Sequence, residues 1–159
     1  MANACRTGGL PSRQALEVAE VGSVFIGPVR RLSIERVLAF SGGAISEPDW
    51  PEQNLHTNMD KAREAGLPGI IVSGTQFEGH LIDLLVELFG DTWFGAGTIE
   101  SKIPKSLMLN DTVQAKAIVG EISGEGDFRT FSLEVSCENQ NGEQVLIGTA
   151  ACPLHSRTG

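Results

Sequence analysis

A chain of 159 residues with 41% hydrophobic content and mean hydropathy near zero can bury the core of one domain and is short for two. Its formal charge of −8 and pI near 4.8 argue against duplex nucleic acid or a membrane surface as partner, because both demand a cationic face opposite phosphate. The three cysteines, Cys5, Cys137 and Cys152, are odd in number and form no Cys-x-x-Cys pair, which favours a reducing compartment over a disulfide scaffold. No run reaches the length of a membrane span and the first residues lack the apolar stretch of a signal peptide, so a cytoplasmic protein is expected.

Residues 1–14, rich in Gly, Ser, Arg and Pro, read as a mobile arm; 15–154 form the domain and 155–159 a short tail. The stretch 18–32 mixes β-branched residues with two glycines and a proline, which predicts a strand entered through a turn. Ser33 can cap a short helix with Ile34, Val37 and Leu38 as its apolar side, ending at Ser41-Gly42-Gly43. The next dozen residues, AISEPDWPEQNL, hold two prolines and three acids and cannot be helix interior or central strand. A loop that long is often functional.

Thr57-x-x-Asp60 reads as a capping box, which sets His56 immediately before a helix running to about Ala65 and closed by Gly66. After an apolar connection, Ser73 is placed to cap the most apolar helix of the chain. Phe77, Leu81, Leu84, Leu85 and Leu88 recur there at three- and four-residue spacings, and Gly90 stops it. The period then changes to two. Strands are predicted over 98–103, 112–122, 128–138 and 143–152, with hairpins at 124–127 and at Asn141-Gly142. The fold class that follows is α+β, a long central helix wrapped by a curved antiparallel sheet.

Several of these words, in this order, resemble the MaoC-like dehydratases and R-specific enoyl-CoA hydratases of the hot-dog fold. They are FSGG at 40–43, NLHTN at 54–58, the alanines Ala62 and Ala65, GLPGIIVSG at 66–74 and LND at 109–111, spread over most of 33–151. The resemblance implies a single hot-dog domain acting on an enoyl or 3-hydroxyacyl thioester of coenzyme A or an acyl carrier protein. It implies no cofactor beyond that thioester substrate, and at least a homodimer. The family signature places an aspartate five residues before the histidine, where this chain has Pro51. Asp49 is the only aspartate of the loop and takes that role here, with Glu47 and Glu52 as reserve carboxylates. Ser73 stands where the family commonly has a histidine, and the following glycine, Gly74, is kept.

Adding water across an enoyl thioester requires a base for the water and donors for the developing enolate. His56 with Asp49 would supply the first, and the free N–H groups of the central helix at Ser73, Gly74 and Thr75 the second. Trp50 and Asn54 would line the substrate, and Lys102 and Lys105, with Arg129, are candidates for the coenzyme A phosphates. His80 reads as a core or interface residue and His155 as solvated; the three histidines lack metal-ligand spacing, so no metal is expected. A thioesterase would instead need a carboxylate on the central helix, Glu78 or Asp83. A non-catalytic acyl-binding subunit follows if Asp49 points into solvent. A specialised dehydratase or cyclase would use the long loop, with Trp50, Trp93 and Phe94 lining its cavity.

Overall fold

A computed structural model of the chain describes residues 11–155, with only the backbone described at His155. Cys5, most of the expected arm and the side chain of His155 lie outside the described residues. In chain order the elements are α1 (Arg13–Glu17), β1 (Val24–Ile26), β2 (Arg30–Arg31), α2 (Ile34–Ser41), α3 (Met59–Glu64), α4 (Gly74–Phe89), α5 (Thr92–Ala96), β3 (Thr98–Lys102), β4 (Thr112–Glu125), β5 (Phe128–Asn139) and β6 (Gln144–His155). The sheet is antiparallel in the order β1-β4-β5-β6-β3, with β2 also pairing β4. No helix of the described residues is long and apolar enough to cross a membrane.

The period-two pattern of β4 and β5 explains how the sheet wraps α4. Val113, Ala115, Ala117 and Val119 on β4, and Phe131, Leu133, Val135 and Cys137 on β5, are buried on one face. Register shifts at Val119/Glu121 and at Cys137/Glu138 insert bulges, which bend long strands and let a flat ladder curl. Into that curve α4 presents Phe77, Leu81, Leu84, Leu85 and Leu88, all buried. Phe89 continues the core to Trp93 and Phe131, with ring centroids 6.2 and 6.3 Å apart. Phe77 is fully buried, so Phe77→Ala is expected to destabilise the protein by about 3–5 kcal/mol, read from the urea midpoint.

Three local readings are corrected, and the hairpin expected at Asn141-Gly142 is present. The 18–32 strand is split into β1 and β2 by Gly27-Pro28, because Pro28 cannot donate to the ladder. A short helix, α1, begins inside the expected arm, capped by the Ser12 hydroxyl accepting from Ala15 N at 3.2 Å. The helix after His56 is capped by Asn58, whose Oδ1 accepts from the N–H groups of Asp60 and Lys61; Thr57 turns back instead to the loop. Asn141-Gly142 closes a three-residue hairpin. Asn139 N–H donates to Glu143 O at 3.0 Å, and Gly142 takes the left-handed position at φ +74°.

The segment TWFGA carries no helix signal of its own in the sequence, yet it forms α5. Its Trp93 plugs the core at the C-terminal end of α4 while Phe94 is exposed. Since α4 has 16 residues, that end lies about 24 Å from its first turn. Trp93 and Phe94 therefore stand far from the histidine loop and do not share a cavity with it.

Candidate active site

The site grows out of a short ladder just before α4. Val72 N–H donates to Leu107 O at 2.8 Å and Leu109 N–H to Ile70 O at 3.1 Å, pairing 70–72 with 107–109. In such an antiparallel pair the peptide groups of the middle residue point away from the partner strand. The Ile71 carbonyl is thereby left facing outward, and His56 Nδ1 lies 2.8 Å from it. A carbonyl only accepts, so Nδ1 carries the hydrogen and Nε2 the lone pair. Nε2 has no protein partner among the described residues. The ring is thus fixed as the tautomer a general base needs, at a carbonyl two residues before Ser73, the N-cap of α4.

The LND turn holds the other side of the ladder. Asn110 takes a left-handed conformation at φ +72°, and the Asp111 carboxylate accepts from Met108 N at 2.8 Å. Leu32 N–H donates to Asp111 O and Asn110 N–H to Leu32 O, both at 2.9 Å, which locks this turn to the chain entering α2.

Asn54 organises the loop. Its Oδ1 accepts from His56 N at 2.9 Å, its Nδ2 donates to Ser41 O at 2.9 Å, and its own N–H donates to Thr57 Oγ1 at 3.0 Å. Both ends of the amide are engaged in tying the backbone of His56 to the end of α2. Asn54→Ala is expected to speed hydrogen exchange at His56 N–H and to lower turnover about tenfold, measured by exchange mass spectrometry and steady-state rates.

The long loop is an outward excursion closed at its base. Glu52 N–H donates to Gly42 O at 2.8 Å, and Trp50 and the cis Pro51 fold back onto Gly42. A Cβ at position 42 would stand 2.5 Å from Leu38 O, 2.9 Å from Pro51 Cβ and 3.0 Å from Trp50 Nε1, which is why glycine ends α2. Trp50 is half-buried against this corner with its Nε1 sealed from solvent and unpartnered. Asp49 lies outside the closure. It is exposed at the third position of the turn made by Trp50 N–H to Glu47 O at 3.1 Å, and no hydrogen bond joins it to His56. Glu47 and Glu52 are exposed as well.

At the head of α4, Ser73 is the N-cap by backbone but its hydroxyl makes no cap bond; it lies 2.9 Å from Thr75 Oγ1. Gln76 N–H already reaches Ser73 O at 3.0 Å. The N–H groups of Gly74 and Thr75 precede the helical ladder and are free to donate. A Cβ at Gly74 would fall 2.3 Å from Ile103 Cδ1, so the half-exposed Ile103 side chain lies over this end of the helix. Nothing in the sequence singles out Ile103, the last residue of the expected 98–103 strand, whereas β3 ends at Lys102 and leaves Ile103 just beyond it, before Pro104.

The expected phosphate ligands are placed elsewhere. Lys102 projects from β3 on the outer sheet face, beside a concavity of about 610 Å³ also lined by Glu100, Glu134 and Ser136, on the side away from α4. Lys105 is bound to Glu143, and this bond, with one from Asn139, holds the Glu143 carboxyl down to about 2. Arg129 donates to Glu17 O at 2.9 Å and stacks over Phe131. Glu78 accepts from Ser101 Oγ at 2.6 Å, which ties it to β3, whereas Asp83 is exposed beside His80. Cys137 and Cys152 are buried free thiols, pushed up to about 12 and about 11 by burial, and are inert as nucleophiles.

No protein-family model matches the sequence, and no curated protein matches it. Solved structures do match. A MaoC-like dehydratase from Rhodospirillum rubrum is similar over 91% of this chain and 98% of its own, at 22% identity and TM-score 0.71. An R-hydratase from Pseudomonas aeruginosa is similar over 89% and 86%, at 14% identity and TM-score 0.70. The (R)-hydratase of A. caviae involved in PHA biosynthesis is similar over 87% and 98%, at 20% identity and TM-score 0.67. What is shared at these identities is the fold. The chain has the hot-dog fold of the MaoC-like dehydratases and R-hydratases.

Proposed function

We propose that the chain is a hydratase or dehydratase acting at the α,β bond of an enoyl or 3-hydroxyacyl thioester. The observation that carries this reading is the His56 ring, held by Ile71 O with Nε2 free, three residues before the start of α4, whose first N–H groups have no helical acceptor. In the hydration direction, Nε2 takes a proton from water while the oxygen bonds to the β-carbon. The π electrons move onto the thioester oxygen, which Gly74 and Thr75 N–H receive. The α-carbon then takes its proton from Nε2–H, and the histidine returns to its starting state. Every step uses side chains and backbone of the chain with the thioester itself, and no cofactor.

Asp49 is assigned to steady the attacking water, which requires the 43–51 excursion to fold inward when substrate binds. We also assign the protein to the cytoplasm and to a homodimer, the latter since β3 pairs β6 along one edge and, among the described residues, no strand along the other. The exposure of Asp49 favours a second reading, a subunit that binds the acyl thioester without turning it over.

The test follows the enoyl absorbance of short and medium trans-2-enoyl-CoA with purified protein while a thiol reagent monitors released coenzyme A. Loss of the enoyl band without thiol, abolished in His56→Ala, supports hydration. Thiol release transfers the assignment to a thioesterase working through Glu78. Binding without either change leaves the acyl-binding subunit.

A further inference from the structure

The face of the sheet turned away from α4 carries its charge in rows. The registers of β4, β5, β6 and β3 align Ile118, Glu134, Thr149 and Glu100 across the strands in one row, and Lys116, Ser136, Ile147 and Lys102 in the next. Their neighbours along the strands, Ala117, Leu133, Val135 and Ala150, are the buried ones that face the core, so these eight stand on the outer face. Two shallow hollows, of about 610 and 340 Å³, adjoin there and share Glu100 and Thr149.

One row is acidic and the other basic. Lys116 meets Glu138 at 3.7 Å, whereas Glu100, Lys102 and Glu134 have no ion-pair partner among the described residues. The middle of the face is uncharged: Ser136 is only 8% exposed, and Ile118 and Ile147 are half-buried beside Thr149. An antiparallel sheet that keeps one face in water carries polar residues along it. Two isoleucines and a buried serine framed by unpaired charges of both signs depart from that pattern.

We infer that this outer face is an interface between two copies of the chain, separate from the β3 edge and independent of the hydratase reading. A two-fold axis running across the strands, midway between the rows, lays the acidic row of each copy over the basic row of the other. Glu100 then stands over Lys102 of the second copy, and Glu134 over its Ser136 with its Lys116 one strand away. Each contact occurs twice, because the same patch serves both copies. An axis along the strands between β5 and β6 sets Lys116 over Lys102 of the second copy instead, and like charges in contact oppose that arrangement. Sheets packed face to face keep their strands within about 30° of each other at a separation of about 10 Å, a gap that Ile118, Ile147 and Thr149 of the two copies fill. The charges fix the orientation and the apolar middle supplies the affinity. The interface lies on the side of the sheet away from α4, so it leaves the His56 site at the head of that helix uncovered.

The test is the mass of the full chain by light scattering behind gel filtration, over a dilution series. Native protein is expected at twice the mass of Thr149→Arg, since a long cationic side chain at the centre of the face holds the two sheets apart. With 16.9 kDa per chain, the comparison is between two copies and one, or between four and two where the β3 edge also pairs. Glu134→Lys is expected to raise the dissociation constant of the same step about tenfold, because it sets a cation against Lys116 of the second copy. Circular dichroism shows whether each variant keeps its fold. In a mixture of isotope-labelled and unlabelled native protein, carbodiimide is expected to join Lys116 of one copy to Glu134 of another. That link cannot form across the β3 edge, because β4 and β5 lie three and two strands in from it, about 14 and 10 Å. Equal masses for native protein and folded Thr149→Arg, or the absence of the mixed link, overturns the interface.

Discussion

His56→Ala is expected to lower kcat/KM for enoyl-thioester hydration by about a hundred- to ten-thousandfold, the range over which a positioned general acid–base contributes. The expectation follows from the ring's single protein contact. Nδ1–H is committed to Ile71 O, so the lone pair for proton transfer sits on Nε2 and nowhere else on the side chain. Alanine removes both the base and the anchor, and a loosened loop alone would also slow turnover. His56→Asn separates the two effects, because its amide nitrogen reaches roughly where Nδ1 lies and can still donate to Ile71 O. It should be as inactive as alanine while melting close to the native protein. If His56→Asn retained most of the rate, the histidine would be an anchor only and the acyl-binding reading would take the place of the hydratase.

The fold was legible because the patterns that dictate it are local and periodic. The apolar stripe of α4 and the alternation of β5 each demand one buried face, and a sheet bent around a helix satisfies both. His56 was legible as a residue, but its state was not. The 2.8 Å bond to Ile71 O depends on a ladder between 70–72 and 107–109, residues far apart in sequence and too few to show alternation. An exposed loop amide near a histidine suggests a substrate contact, as at Asn54, whereas its partners, Ser41 O and His56 N, are fixed only once α2 and the loop are docked. Lysines near β3 suggest phosphate ligands, and the pairing of Lys105 with Glu143, 38 residues away, shows only in space. Asp49 illustrates the same limit. Spacing from His56 cannot tell an excursion that folds inward from one that Glu52 and Gly42 close at the base, leaving the aspartate exposed.

Gly74→Val is expected to lower kcat about a hundredfold with little change in KM or melting temperature, read from steady-state rates beside a thermal scan. A donor aimed at charge that develops in the transition state acts only if the oxygen can reach it, and the N–H groups of Gly74 and Thr75 are the ones left free at the head of α4. A side chain at position 74 would stand where Ile103 Cδ1 already lies, 2.3 Å from the new Cβ. Ile103 is 47% exposed, so its flexible end can swing into solvent and the fold absorbs the change. The thioester oxygen has no such freedom, since the added methyl groups hold it beyond hydrogen-bond distance of both donors. Valine at position 74 takes away contacts to charge that develops only in the transition state, which is why affinity should survive while turnover falls. If Gly74→Val instead melted well below the native protein with unchanged turnover per folded molecule, the glycine would serve the packing of α4 against Ile103, and the enolate donors would have to be sought elsewhere.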